Sequence, residues 1–297
     1  MTTQSWLTRL RQDSDATFRE WGAELKAKLA AAGLVQTSDT GQIDWTTVVR
    51  AAISTEAGYE IWRMNDAMQA TAPVFFRIGY GSGTAQTIPR VQISSGTSTN
   101  GSGTLAGVGG TALAIAGAGV AQTVDTTRQS YLSVAEGFFG LNWKIGSGAN
   151  EGFFAFARTV DTAGTPTDVG GMQLWGASVA TALGRTQAFR YAATAAAFAA
   201  QTAAANQALC LNPQALATSA VGADTQVFLA WTPTPAMQPL VGLAGVIATE
   251  LAAGATFSFT PVGGASRSYI GLSSLAGPAG PVSNATTGGM RFAMLWE

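Results

Sequence analysis

The sequence predicts a mainly β protein, an antiparallel, jelly-roll-like β-sandwich with a short α-helical segment at its N-terminus. Three observations carry this expectation. Short aromatic runs with a period of two recur from Gly58 to Trp296, punctuated by glycine. One stretch near the N-terminus has helical spacing instead. Charge is also uneven: 16 of the charged residues fall in positions 1–66 and only 17 in the rest of the 297-residue chain. That places a charged helical segment at 1–66 and a charge-poor Gly/Ala-rich β region at 67–297, with a subdivision expected near 105–128.

The helix is expected over Ala16–Ala32. Phe18, Trp21, Leu25 and Leu29 follow at spacings of 3, 4 and 4 and share one face. Asp13 or Asp15 is positioned to cap the start, and Gly33 suits the left-handed residue past the end. From Gly58 the period becomes two, with Tyr59, Ile61 and Arg63 alternating against Glu60, Trp62 and Met64. Pro73–Tyr80 reads as a buried strand. Further strands are expected at Tyr131–Val134, Phe138–Ile145, Gly152–Val160, Met172–Trp175 and Gln187–Tyr191. The series ends with Gln226–Thr232, Thr256–Pro261, Ser268–Leu272 and Arg291–Trp296. Ala192–Ala205 is ambiguous, because its alanines favour helix and its threonines oppose it.

Composition excludes several chemistries. With no histidine, Ser-His-Asp and Cys-His catalysis and His-ligated zinc are removed. The lone Cys210 excludes an intrachain disulfide framework and a multi-cysteine zinc site. A formal charge of −1 offers no basic face for nucleic acid. Met1–Asp15 lacks the apolar stretch of a leader, and the charge-free run Val91–Val124 is too rich in Gly, Ser and Thr to enter lipid well. No cofactor, metal or membrane insertion is expected.

The motifs with chemical associations read more simply as structure. Gly-Ser-Gly at 81–83, 101–103 and 146–148 lacks the following Lys of a phosphate loop and reads as turns. Asp39-Thr40-Gly41 matches an aspartic-protease tripeptide, but no second copy exists to supply the partner carboxylate. Glu136 and Glu151, with Asp161 and Asp168 nearby, are the first place to look for a polysaccharide-cleaving carboxylate pair. Trp143, Trp175 and Trp231 are candidate sugar platforms in a glycan- or receptor-binding reading.

So charge-poor a surface suits a protein that packs against other subunits. The expected docking residues are Trp6, Leu10, Phe18, Trp21 and Leu25, on a segment whose deletion (1–33) would leave the β region folded. The runs Phe18-Arg19-Glu20-Trp21, Gly33 through Trp45, Gly58-Tyr59-Glu60-Ile61-Trp62-Arg63 and Asn65 through Pro73, ending in Tyr80-Gly81-Ser82-Gly83, resemble virion proteins of tailed bacteriophages over about residues 18–84. The resemblance implies a non-enzymatic particle component, assembled in the host cytoplasm, with other virion proteins as partners. Its place would be tail, baseplate, collar or head decoration. Sandwiches in particles often close around a threefold axis, so a homotrimer is the first expectation.

Overall fold

The computed structural model describes residues 3–8, 12–107, 113–114, 128–145, 150–177, 185–192, 195–200, 225–230, 237–247, 254–261, 264–271 and 290–297. Strand β1 (Thr3–Thr8) leads into helix α1 (Asp15–Ala32), then β2 (Val35–Gln36) and β3 (Glu56–Arg63). A 3-10 turn at Ala67–Ala70 precedes β4 (Phe75–Ser82) and β5 (Pro89–Gly96). The short strands β6 (Ser98–Thr99), β7 (Leu105–Ala106) and β8 (Leu113–Ala114) follow. A meander then runs through β9 (Arg128–Ala135), β10 (Phe138–Ile145), β11 (Asn150–Val160), β12 (Pro166–Ala177), β13 (Arg185–Ala192) and β14 (Ala195–Ala200). The last strands are β15 (Thr225–Ala230), β16 (Met237–Ile247), β17 (Thr256–Phe259), β18 (Arg267–Gly271) and β19 (Met290–Leu295).

Among the described residues every strand pairing is antiparallel. A five-stranded sheet in the order β2-β3-β4-β5-β8 faces a large curled sheet that holds β9 to β19 together with β1. The fold is therefore β-sandwich-like and mainly β, with one α-helix, at the N-terminus, among the described residues. The successive strands β17, β18 and β19 return so that β19 pairs with β16, a Greek-key connection of the kind found in jelly rolls. Strand β11 pairs with three strands. It runs beside β10, pairs with β12 up to Arg158↔Gly171 and again, after a bulge, at Val160↔Pro166, and meets β16 at Thr159↔Leu240.

Alternation along β9–β11 assigns side chains to two cores. Leu132, Val134, Phe139, Leu141, Phe154 and Phe156 point toward the five-stranded sheet and α1. Tyr131, Phe138, Ala155 and Ala157 point into the curl, where they meet Leu240, Leu243, Tyr269 and Met294. Phe76 of β4 plugs the first core, its ring centroid 4.8 Å from Phe139 and 5.9 and 5.8 Å from Phe154 and Phe156. The inner face of β9–β11 mixes the large Tyr131 and Phe138 with small residues, and Phe138 takes the space over Gly140. A Cβ on Gly140 would come within 2.8 Å of Phe138 and 3.0 Å of Met294.

Helix α1 begins at Ser14, not at the aspartates. The Ser14 hydroxyl accepts from the Thr17 amide and the Thr17 hydroxyl accepts from the Ser14 amide, each at 3.1 Å. Asp15 instead accepts from the amide and Nε of Arg50, both at 3.0 Å. Gly33 closes the helix with φ 107°.

The compositional boundary near Asp66 is not a structural one. Phe18, Trp21, Leu25 and Leu29 lie in one core with residues as distant as Phe156, and β1 pairs with β9 from Thr3↔Ser133 to Thr8↔Arg128. Asp66 itself bonds across the supposed boundary to Arg158, at 2.7 Å (Nε) and 3.1 Å (Nη2), with both side chains fully buried. Deleting residues 1–33 would therefore open the core instead of sparing it. Of Ala192–Ala205, Ala195–Ala200 forms a strand on β13, not a helix, since pairing outweighs alanine's helical preference.

Two stability outcomes follow from this packing. Alanine at an exposed helical glycine usually stabilises by about 1 kcal/mol; at Gly22 the new Cβ would come within 2.1 Å of the Trp45 ring, so Gly22→Ala should lower the melting temperature. Asp66→Ala strands a buried guanidinium and should cost about 3–5 kcal/mol in chemical denaturation, whereas an apolar pair at Asp66 and Arg158 should cost far less.

Candidate functional site

The most concentrated polar group in the first core is Glu60. Its position on β3 puts it opposite Ile78, beside Trp62 and diagonal to Tyr80 on β4. The fully buried carboxylate accepts from the Tyr80 hydroxyl at 2.7 Å, Trp45 Nε1 at 3.1 Å and Trp62 Nε1 at 3.3 Å. Lys26 Nζ stands 3.9 Å away with its side chain 41% exposed, a weak partner. Burial pushes the Glu60 carboxyl up from its ordinary range, against the three hydrogen bonds. Burial and the neighbouring carboxylate push the Tyr80 hydroxyl well up. Sealed on all sides, this acid ties α1, the loop carrying Trp45, and two strands together.

Asp39 of the Asp-Thr-Gly run has a similar task. It accepts from the Thr37 hydroxyl at 2.7 Å, the Gly103 amide at 3.1 Å and the Thr99 hydroxyl. These bonds hold its pKa down despite the opposing effect of burial, which is the largest single influence. The tripeptide thus anchors the β6–β7 hairpin, where Gly101 and Gly103 take φ of 80° and 93° as turn residues. A Cβ on Gly103 would strike Tyr59 at 2.3 Å.

The structure separates the carboxylates proposed for glycoside cleavage. Glu136 is exposed in the β9–β10 turn and accepts from the Ala67 amide at 2.6 Å. Glu151 lies opposite Lys144, at the far end of the β10–β11 ribbon from Phe138↔Ala157. Six residues of strand at about 3.4 Å each put roughly 20 Å between those ends, against the roughly 5–9.5 Å that the chemistry needs. Asp161 caps its own loop by accepting from the amides of Ala163 and Thr165. Trp143 and Trp175 fall on β10 and β12, and Trp231, Cys210 and Gly146–Gly148 lie outside the described residues.

The expected docking residues need correction. Phe18, Trp21 and Leu25 are buried within the chain's own core at 0%, 3% and 5% exposure, so they are not free to engage another subunit. Their partners are Trp45 and Tyr80, with centroids 5.3 Å from Phe18 to Trp45 and 5.8 Å from Trp21 to Tyr80. Trp6 lies on β1 opposite Ser130, and Leu10 lies outside the described residues.

Among the described residues, the large apolar side chains left exposed are Val49 and Ile53, at 60% and 57%. Both sit on the loop between Trp45 and β3, which is pinned throughout. Arg19 donates to the Val48 carbonyl at 3.0 Å, and Arg50 donates to the carbonyls of Gln12 and Asp13 at 3.2 and 2.7 Å. Ser82 and Gln86 donate to the Ala51 carbonyl at 3.0 and 3.2 Å, and Arg90 to that of Ser54 at 2.8 Å. Ser54 is held at φ 61°, a left-handed conformation unusual outside glycine. Two apolar side chains are thus presented to solvent on a rigid support. Sequence periodicity could not find them, because the loop follows neither repeat.

Because its carboxyl is pushed up in the folded state, Glu60 contributes stability below its unfolded pKa, near 4.5, and that contribution fades as pH rises through the folded value. Asp15, Asp39 and Glu297, whose values are held down, act in the opposite sense. Subtracting the melting curves of Glu60→Gln, which cannot titrate there, should isolate a wild-type advantage that declines as pH rises above about 4.5. No protein-family model, curated protein or solved structure matches this chain.

Proposed function

We propose that the protein is a structural component of a tailed-bacteriophage virion, assembling with copies of itself and docking on other virion proteins without catalysing a reaction. The observation that carries this reading is the rigid display of Val49 and Ile53, the kind of preorganised apolar contact that loses little entropy on association. The resemblance over residues 18–84 and the scarcity of charge beyond position 66 point the same way. Loop 46–55 falls between two of the resembling runs, 33–45 and 58–63, and it replaces helix α1 as the expected docking element. Its two side chains suit an apolar recess on a neighbouring subunit. They form too small a patch to hold a dimer alone, since stable interfaces bury roughly 800 Å² per partner. Repetition around a symmetry axis, with a trimer as the first expectation, would multiply the contact.

Val49→Asp with Ile53→Asp changes only exposed side chains, so the melting temperature should stay within a few degrees of wild type. Sedimentation should show wild-type oligomers and mainly monomeric double variant. In cells producing the particle, tagged wild-type chain should copurify with virions and the variant should be depleted at least tenfold. A wild-type chain that stays monomeric and is missing from purified particles would overturn the reading.

A further inference from the structure

Three buried polar atoms without a hydrogen-bond partner gather at one place on the inner face of the curled sheet: Oδ1 and Nδ2 of Asn142 and Oγ of Ser133. Both residues are buried, Asn142 at 1% and Ser133 at 0%. Register puts them together. Ser133 lies opposite Gly140 and Tyr131 opposite Asn142, so Ser133 and Asn142 are diagonal neighbours on one face. That face is the inner one, since Gly140 abuts Phe138 and Met294 there and Tyr131 belongs to the inner core. Diagonal Cβ atoms stand about 7 Å apart. At that separation the two short side chains fall short of a direct bond, and one oxygen atom between them can bond to both.

An unmet buried polar group costs about 1–3 kcal/mol, and three on one patch would be a heavy burden on the fold. The chemistry of the set narrows what relieves it. Asn142 offers a donor and an acceptor and Ser133 offers both, with no ionised group among them. A neutral group that donates and accepts at one atom is therefore complementary, and a carboxylate or ammonium is not. Tyr131, opposite Asn142, meets the ring of Trp296 edge to face, 5.5 Å between centroids. Gly254 closes over the Tyr131 hydroxyl, with room for no side chain: a Cβ would come within 2.6 Å. Trp296 is half-buried, so this side of the curl borders the surface.

We propose that Ser133 and Asn142 form an internal binding site for one neutral hydroxyl oxygen, supplied by a held water molecule or by a sugar hydroxyl entering beside Trp296. The test is solution NMR of the full chain, observing the Asn142 side-chain amide. A long-lived water should give a cross-relaxation peak at that amide, and Ser133→Ala should shorten its residence at least tenfold by removing one of its anchors. Galactose and N-acetylglucosamine serve as probes for the second source. Saturable displacement of the amide resonance with loss of the water peak assigns the site to sugar, whereas a water peak unmoved by either probe assigns it to water. Absence of both signals in the wild-type chain overturns the proposal, and this readout stands even where Ser133→Ala fails to fold.

Discussion

The fold depends on burying strands β9–β11 from both sides. In a two-layer sandwich each strand alternates between core and water. Here the alternation is between two cores, so both faces of these strands are buried, and on β11 the alternation is of large with small instead of apolar with polar. Phe154 and Phe156 face the five-stranded sheet while Ala155 and Ala157 face the curl. The asymmetry is forced by geometry. The concave side is already filled by the rings of Phe138 and Tyr269 and by Met294, which leaves methyl groups on β11 and a hydrogen at Gly140. Once both faces are committed, an ionised group must be paired internally, as Arg158 is with Asp66.

The same constraint changes what the low charge content means. Residues 137–142 and 154–160 are buried throughout, and Arg158 is the one ionised side chain in them. Part of the missing charge therefore reflects internal burial, and the case for assembly rests more on what is displayed outward. It also explains why the helix joins the body of the protein. The first core lies between two sheets, and α1, with Trp45 over Gly22, covers the part of it that strands leave open.

Much of this was legible. Phe138–Ile145 matches β10 end to end because its odd positions are all large and apolar. The helix and its Gly33 terminus follow from spacing and chirality. The two-residue strands β2, β6, β7 and β8 are too short to show a period, and three longer strands were not legible for separate reasons. In β5 the pattern rests on Val91 and Ile93 alone among small and polar residues. In β16, Pro239 and Gly242 (φ 72°) break the period, and the strand is held by its neighbours β15 and β19. Strand β1 depends on a partner more than a hundred residues away. At the candidate sites, spacing showed that Phe18, Trp21 and Leu25 share a face, but an amphipathic face does not state whose core it will enter. Glu60 was hidden for a related reason: its acceptors are matched by Trp45 and Tyr80, which tertiary folding alone brings near.

The contrast between helix α1 and loop 46–55 turns on what each side chain has already bound. Binding energy is available only from surface that folding has left unused. The helix has spent its apolar face on Trp45, Tyr80 and the strands, so exposing it again would cost the core. The loop has spent its backbone instead. Its carbonyls at Val48, Ala51 and Ser54 are taken by Arg19, by Ser82 and Gln86, and by Arg90, and those bonds sustain the left-handed Ser54. Nothing comparable holds the side chains of Val49 and Ile53 inward. A left-handed non-glycine residue costs about 1–2 kcal/mol and persists where its surroundings over-determine it. Here those surroundings fix the direction in which two apolar groups face the solvent, and that fixed direction is what a docking contact requires.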